Sequence, residues 1–164
     1  MISCIEMLLE HNYSARVSLL ESVRKLSHDD FTRNLGVGEV SIRSLLVHLM
    51  NSEIYWINVI GNEETSPLEL QDFKTVDDVA KRWKLIEKEM RDIIDGQTDV
   101  TLQYVKRLKV KGDTISFTIA RGLLHLVTHE AHHRGFIVGL LRQMGYNPPN
   151  VNMLKELTTG DGIL

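Results

Sequence analysis

Hydrophobic residues recur at helical spacing in four stretches of the chain, and each stretch predicts one amphipathic helix. In the third stretch, for example, Val79, Ile86 and Ile93 fall on one face together with Trp83 and Met90. Polar residues occupy the opposite face, as expected for a helix that covers a hydrophobic core. The four predicted helices are Ser3–Leu26, Ile42–Ile60, Val76–Ile94 and Ser116–Met144.

Residues that begin and end helices stand at the borders of these stretches. Ser41 and Thr75 precede the second and third helices, and such side chains accept a hydrogen bond from the first turn of a helix. Gly61 and Gly96 follow the same two helices, at the position where glycine commonly ends a helix. A proline pair shortly after Gly145 stops the fourth helix.

The segments between the helices carry loop and turn signals. Ser27–Glu39 is polar and contains two glycines, so it is predicted as a loop, and Gly61–Lys74 is predicted as a longer connection. Within 101–117, hydrophobic residues alternate with polar ones on both sides of a Lys-Gly-Asp turn at 111–113. This pattern predicts a small β-hairpin directly before the fourth helix. One further helical turn is predicted in the tail, around Met153–Leu157.

These elements predict an all-α protein, a four-helix bundle over residues 1–164 as one domain, with the hairpin as its only β-structure. Hydrophobic residues make up 43% and charged residues 25% of the chain, which is ordinary for a globular domain. The net charge of −3 and the absence of a basic block argue against a nucleic-acid-binding protein. No hydrophobic run is long enough for a membrane span, and the N-terminus lacks the features of a secretory signal. Because Cys4 is the only cysteine, no internal disulfide is expected, and we predict a cytoplasmic protein.

A polar residue and several glycines interrupt the predicted hydrophobic faces. Asn12 falls on the face of the first helix, four residues after Leu8, either as a hydrogen-bonded core residue or as part of a pocket. Gly122, Gly135 and Gly139 lie inside the fourth helix, where each costs up to ~1 kcal/mol in helix propensity. We therefore expect close helix packing at these three glycines.

The fourth helix contains a concentration of histidine. Four of the seven histidines of the chain, His125, His129, His132 and His133, lie in one hydrophobic stretch. At ~100° per residue, the first, second and fourth of these point into an arc of roughly 80°, with His132 at its edge. Imidazoles one helical turn apart can bind one metal ion, which also supplies the partners that buried polar groups require. The pattern therefore predicts a metal site with a further ligand from elsewhere in the chain.

His48, in the second helix, is the best-placed residue for the third ligand. Together with His129 and His133 it makes a three-histidine set, which suits Zn²⁺, Ni²⁺, Co²⁺ or Fe²⁺. His125 has equally good spacing, and it is an alternative partner for His129, a hydrogen-bonding group behind the ligands, or a group that acts on substrate. Three protein ligands leave one position for water or substrate, as in catalytic zinc sites. The residues expected at the periphery or away from the site are His132, His11, His28 and Cys4.

Two segments of the sequence resemble the DinB family of helical-bundle proteins. One is GVGEVSIRSLLVHLMNSEIYWINVIGNE, which has a His in the second helix followed by Ser-Glu and an aromatic-Trp pair. The other is HLVTHEAHHRGFIVGLLRQMGYNPP, which carries the His-x-x-x-His-Arg-Gly run, although Phe136 stands where the family often has Gln. The resemblance implies a metal site at His48, His129 and His133, with a divalent ion that is often nickel or zinc. It also implies homodimers and, in some branches, the transfer of low-molecular-weight thiols.

Glu130 belongs to a second pattern that overlaps the first. Residues 129–133 match H-E-x-x-H, in which two histidines bind zinc and the Glu is the general base of a peptidase. A peptidase is not favoured, because no His follows His133 and the predicted fold lacks a large sheet. Glu130 is instead a candidate proton shuttle for a metal-activated nucleophile, although it points ~100° away from His129. Otherwise it is a surface residue beside Arg134.

These observations leave three functions open. The favoured one is a metal-dependent transferase that activates a small thiol at the three-histidine site, with His125 and Glu130 as candidate catalytic residues. The second is a metal-dependent hydrolase that uses a metal-bound hydroxide. The third is a non-catalytic metal-binding stress protein whose metal is structural. The expected partners are a small-molecule substrate and a second copy of the chain.

Overall fold

Four long helices and one short helix form the body of the protein in a computed structural model that describes residues 1–36 and 40–154. The helices are α1 (Ile2–Val23), α2 (His28–Thr32), α3 (Ile42–Gly61), α4 (Val76–Asp95) and α5 (Ile119–Gln143). α5 packs against α1 and α3, and α4 packs against the same two helices, so the four long helices enclose one core. The predicted fold, an all-α bundle with a small hairpin, is confirmed.

Side-chain caps fix where α3 and α4 begin. The Ser41 hydroxyl accepts a hydrogen bond from the Ser44 N–H (3.0 Å), and the Ser41 N–H donates to the Ser44 hydroxyl (2.9 Å). Thr75 and Asp78 form the same reciprocal arrangement at the start of α4. Each arrangement satisfies two backbone N–H groups that the helix itself leaves unpaired. Both N-caps predicted from the sequence are therefore confirmed.

The core lies between the four long helices and is filled by their hydrophobic faces. Trp83, Met50 and Leu123 are among its fully buried side chains. Burying a hydrophobic side chain of this kind contributes about 1.5–3 kcal/mol relative to leaving it in water. None of the helices in the described ranges has the length and hydropathy of a membrane span.

One helix lies where the sequence predicted only a loop. α2 occupies His28–Thr32 within the predicted loop Ser27–Glu39, so the prediction is wrong for these residues. The Ser27 hydroxyl accepts a hydrogen bond from the Asp30 N–H (3.0 Å) and starts the turn, and Phe31 is buried beneath it. A helix this short does not show the hydrophobic periodicity from which the longer helices were predicted.

Two predicted helix ends shift by a short distance. α1 ends at Val23 rather than Leu26, after which the chain turns towards α2. Asn62, with a φ of 60°, caps α3 in the left-handed conformation, so Gly61 is the last helical residue and not the cap. Asparagine is the residue other than glycine that most readily takes this position. The helical turn predicted around 153–157 lies mainly outside the described residues.

A two-stranded antiparallel hairpin precedes α5, as the sequence predicted. Its strands are β1 (Val105–Val110) and β2 (Asp113–Thr118). Lys111 and Gly112 turn the chain with φ values of 51° and 95°, the combination that matches the twist of a hairpin. α5 begins at Ile119 rather than Ser116. Ser116 still belongs to β2, where it pairs with Arg107 of β1, and Thr118 caps the helix.

Charged side chains lie at the centre of the bundle, among the hydrophobic core. Arg16 of α1 is 3% exposed, and its Nη2 donates to Glu53 of α3 (2.9 Å) and to Glu130 of α5 (2.8 Å). Its guanidinium also lies over the Trp83 ring of α4, 4.2 Å from the ring centroid. One arginine therefore contacts a side chain of every other long helix.

Asn12 and Arg134 complete this group, which we call the buried charge cluster (Asn12, Arg16, Glu53, Glu130 and Arg134). Asn12 Nδ2 donates to Glu130 (3.0 Å), and Arg134 Nη1 donates to Asn12 Oδ1 (2.9 Å). Two arginines and two glutamates balance in charge, and paired charges are the kind that a protein interior tolerates. Asn12 is the hydrogen-bonded core residue that was one of its two predicted alternatives.

We expect Arg16→Met to destabilise the protein strongly. Methionine has a comparable length but leaves Glu53 and Glu130 buried without their shared cation. Breaking a buried ion pair in this way costs about 3–5 kcal/mol. The free energy of unfolding, measured by urea denaturation at neutral pH, should fall by that amount.

Arg24→Met is the matched control for this measurement. Arg24 Nε donates to Asp77 (2.9 Å), but both side chains of this pair are exposed. An exposed ion pair contributes at most about 1 kcal/mol, so the control should lose little stability. Equal losses in the two variants would show that burial adds nothing to the ion pairs of Arg16.

Candidate metal centre

α3 and α5 bring together three histidines, which we call the histidine cluster (His48, His129 and His133). His48 lies on α3, and the other two lie one turn apart on α5. One ligand atom from each ring lies within 4.8 Å of the others. His48 Nε2 and His129 Nε2 are 3.3 Å apart, and the ring centroids of His129 and His133 are 4.5 Å apart. The fold therefore assembles the three residues that the sequence singled out.

The electrostatics of the histidine cluster suit a metal ion. His129 and His133 have buried Nδ1 atoms with no hydrogen-bond partner among the described residues. Burial, together with the neighbouring imidazoles, lowers the pKa of His129 to about 4 and also lowers the pKa of His133. Neutral imidazoles can offer ring-nitrogen lone pairs to a metal ion, and the His48 and His129 Nε2 atoms already face each other. The donor set therefore fits a divalent ion.

The other candidate residues lie at or beyond the edge of the histidine cluster. His132 is exposed, with its ring centroid 5.1 Å from that of His133, which matches its predicted peripheral position. Cys4 is an exposed free thiol near the start of α1, and His28 is exposed at the start of α2. None of these belongs to the group of ligand atoms found in residues 1–36 and 40–154.

A cavity of about 310 Å³ adjoins the histidine cluster between α3 and α5. His129 lines this cavity as well as belonging to the cluster, so the cavity opens directly onto it. The remaining walls are aromatic or polar and include no carboxylate, lysine or arginine. They are formed by Asn51, Ser52, Tyr55, Trp56 and His125. The size is that of a small-molecule site.

Packing around Trp56 fixes one wall of the cavity. The centroid of its ring lies 5.6 Å from that of His125 and 5.4 Å from that of Phe117. Gly122 makes this packing possible, because a Cβ at that position would lie 2.7 Å from the Trp56 ring. His125 lines the cavity and is not among the clustered ligand atoms, so it does not replace His133 in the ligand set.

The three glycines of α5 do not share one role. Gly122 meets the expectation of close packing, because the Trp56 ring occupies the space of its missing side chain. A Cβ at Gly135 or Gly139 would meet no atom within 4 Å, and both residues are exposed. Close helix packing is therefore confirmed at the first position, and the prediction is wrong for the other two within this chain.

Glu130 does not face the cavity. Its carboxylate accepts hydrogen bonds from Asn12 Nδ2 and from Nε and Nη2 of Arg16, inside the buried charge cluster. At 4% exposure it is also not the surface residue of the alternative interpretation. Consecutive helical residues diverge by ~100°, which directs His129 to the histidine cluster and Glu130 to the core. The geometry gives Glu130 a structural position instead of that of a proton shuttle.

The sequence provided only a partial indication of which residues line the cavity. Ser52, Tyr55 and Trp56 follow His48 at the spacings that place residues on one face of a helix, and this was the available signal. The same spacing is equally typical of a core face, so it did not indicate a cavity. Only the position of α5 opposite α3 shows that these residues line a cavity and do not form a core face.

The sequence matches the model of the DinB family over residues 1–161. The chain belongs to the DinB family. Two similar proteins come from Bacillus subtilis (strain 168). The uncharacterized protein YizA is 21% identical over 153 residues, which cover 88% of this chain and 91% of YizA. The uncharacterized protein YjoA is 26% identical over 148 residues, which cover 85% of this chain and 90% of YjoA.

Solved structures of DinB-like proteins share the fold. The crystal structure of YjoA from Bacillus subtilis matches with a TM-score of 0.64 at 21% identity, over 87% of this chain and 94% of that one. The crystal structure of a DinB-like protein from Bacillus cereus ATCC 10987 matches with a TM-score of 0.62 at 18% identity, over 86% and 95%. Phe136, at the position where the family resemblance implied a Gln, packs against the hydrophobic core. DinB proteins are generally metal-binding, and this member has three histidines that could hold an ion.

Proposed function

We propose that this DinB protein binds one divalent metal ion through His48, His129 and His133. The observation that carries the proposal is the convergence of one ligand atom from each ring, within 4.8 Å, at the edge of a cavity. Zinc or nickel is the proposed ion, because imidazole donors suit both. Three protein ligands leave room for a further ligand from the cavity side.

We further infer that the site acts on a small molecule, and that a low-molecular-weight thiol is the favoured substrate. A divalent ion in such a site ionises a coordinated thiol and so supplies a nucleophile. The rings of Tyr55 and Trp56, which lie at 84° to each other, give the cavity two aromatic walls for the hydrophobic part of an electrophile. A reducing cytoplasm is the proposed location, and the exposed Cys4 would stay a free thiol there.

His125 is proposed as the residue that contacts the substrate beside the metal. It lines the cavity, and a neutral imidazole can donate one hydrogen bond and accept another. Glu130 is left out of the proposed chemistry, because its oxygens are bonded to Asn12 and Arg16. A hydrolase is the second candidate function, since the open cavity beside His129 would equally accommodate a small ester or amide.

We propose that the exposed face of α5 forms a homodimer. Leu124 is 41% exposed on this face, and Ala131, Gly135 and Gly139 follow it at helical spacing. A Cβ at either glycine would meet nothing within 4 Å, so a second copy has space to approach the helix. The hydrophobic side chain and the small residues together make a surface that suits a neighbouring helix.

The metal proposal predicts that His129→Ala loses stoichiometric metal. Protein is loaded with Zn²⁺ or Ni²⁺, desalted, and analysed for metal per chain. The wild type should keep one ion per chain, whereas the variant should keep almost none because only two ligands remain. His28→Ala is the control, since His28 is exposed on α2 and lies outside the histidine cluster. Full metal retention by the His129 variant would disprove the ligand assignment.

The thiol proposal predicts a change in the spectrum of the Co²⁺-loaded protein. Addition of 2-mercaptoethanol should produce a sulfur-to-metal charge-transfer band in the near ultraviolet, together with release of protons. The band should be absent in His129→Ala. A hydrolase would instead turn over a simple aryl ester without thiol, and thiols would only inhibit it. Protein that binds Co²⁺ but gives neither result would contradict both catalytic functions.

The dimer proposal predicts a particle of about twice the 18.8 kDa chain mass in light scattering at micromolar concentration. Gly135→Glu should yield the monomer, because it places a charged side chain in the centre of the proposed interface. Leu85→Glu, at an exposed hydrophobic residue of α4, should leave the dimer intact. A wild-type mass equal to that of one chain would rule the dimer out.

A further inference from the structure

Ligand residues and charged core residues stand side by side along α5. His129 is followed by Glu130, and His133 is followed by Arg134. The two histidines point to the histidine cluster, while Glu130 and Arg134 point into the buried charge cluster. Consecutive residues are separated by ~100° around the helix, so one rotation of α5 aims both pairs.

α3, which carries the third ligand, is tied to the same buried charge cluster. Glu53 Oε2 accepts hydrogen bonds from Arg16 Nη2 (2.9 Å) and from Trp83 Nε1 (2.7 Å). Glu53 and His48 belong to one continuous helix, so the bonds to Glu53 also restrict the rotation that aims His48. Arg16 Nη2 thus binds a carboxylate on each of the two helices that carry ligands.

Apart from their contacts with other histidine rings, two of the three rings lack a hydrogen bond behind the ligand atom. The Nδ1 atoms of His129 and His133 are buried without a hydrogen-bond partner in the part of the chain that the structure describes. In most metal sites a hydrogen bond to the second ring nitrogen fixes the orientation of the histidine. Here the ring positions depend instead on the helices that carry them.

We propose that the buried charge cluster, centred on Arg16, sets the rotation of α3 and α5 and thereby positions the three histidines for a metal ion. This inference rests on the proposed metal site and identifies what holds that site in place. Hydrophobic packing is non-directional, whereas hydrogen bonds to a guanidinium restrict both distance and angle. Side-chain ends lie ~5 Å from the helix axis, so a rotation of ~10° moves a ligand atom by ~1 Å. Metal sites require ligand distances within ~0.2 Å, which makes such a rotation significant.

Glu130→Gln tests the proposal directly. Glutamine keeps the size of the side chain but removes the charge that Arg16 and Arg134 face, which weakens the connection between α5 and α1. We expect the affinity for Co²⁺, measured by competition with a chelator, to fall about tenfold or more, as when the groups that orient metal ligands are removed. At saturating Co²⁺, the visible absorption of the variant should also differ from that of the wild type, because the ligand geometry has changed.

Glu87→Gln is the matched control. Glu87 Oε2 lies 3.9 Å from Arg16 Nη1, so this variant makes the same chemical change beside the same guanidinium. Glu87 belongs to α4, which carries none of the three histidines, and we expect Co²⁺ affinity and absorption to stay as in the wild type. If Glu130→Gln lowers only the melting temperature and keeps the wild-type affinity and spectrum, the cluster stabilises the fold without positioning the ligands, and the proposal is wrong.

If Glu130→Gln does not fold, Asn12→Ala tests whether the buried charge cluster positions the histidines. It removes hydrogen bonds to Glu130 and to Arg134 without changing any charge. Lower Co²⁺ affinity with an altered spectrum supports the proposal, and wild-type values for both overturn it. Wild-type protein that binds no Co²⁺ would refute the metal site itself, so failure of the site and failure of the positioning role are distinguishable.

Discussion

The ion pairs of Arg16 are the interaction on which the rest of the structure depends. A guanidinium buried in a bundle is costly unless its charge is matched. Here Glu53 and Glu130 accept hydrogen bonds from its Nε and Nη2, while Nη1 has no hydrogen-bond partner among the described residues. The Trp83 ring covers one face of the guanidinium. Burial raises the pKa of Glu53, although the charge of Arg16 opposes this shift. Directional contacts of this kind restrict the rotations of the surrounding helices more tightly than non-directional hydrophobic packing does.

The sequence of α5 serves three different surfaces at once. His129 lies on the side of the histidine cluster, Glu130 faces the core, and Gly135 is exposed on the outside. Repeats of four residues keep each surface in line along the helix, which explains why histidines, charges and glycines interrupt a hydrophobic stretch. A mutation on one surface that rotates the helix therefore changes the other two. This coupling follows from the helical repeat and needs no direct contact between the surfaces.

The three histidines that come together in the structure could be named from the sequence because two of them have a local signal. His129 and His133 are one turn apart on one helix, and no knowledge of the partner helices is needed to place them on one side. Arg16 was missed for the opposite reason. A long charged side chain on a hydrophobic face commonly extends to solvent, so its own helix does not reveal that it is buried. The available signal was its place one turn after Asn12, two polar residues in succession on a core face. Glu53 appeared in the sequence only as part of the Ser-Glu pair of the family motif, and its partners, Arg16 and Trp83, lie on two other helices.

The H-E-x-x-H spacing of residues 129–133 does not by itself determine the role of Glu130. The spacing places two histidines on one side of a helix and a glutamate on the next, but whether that glutamate serves the metal depends on what packs across from it. Here Arg16 and Asn12 occupy its oxygens, so Glu130 cannot also reach into the cavity. Of the two predicted catalytic residues, only His125 lies on the cavity wall. In a small bundle of this kind the residues of the cavity wall can therefore change while the buried charge cluster in the core stays the same.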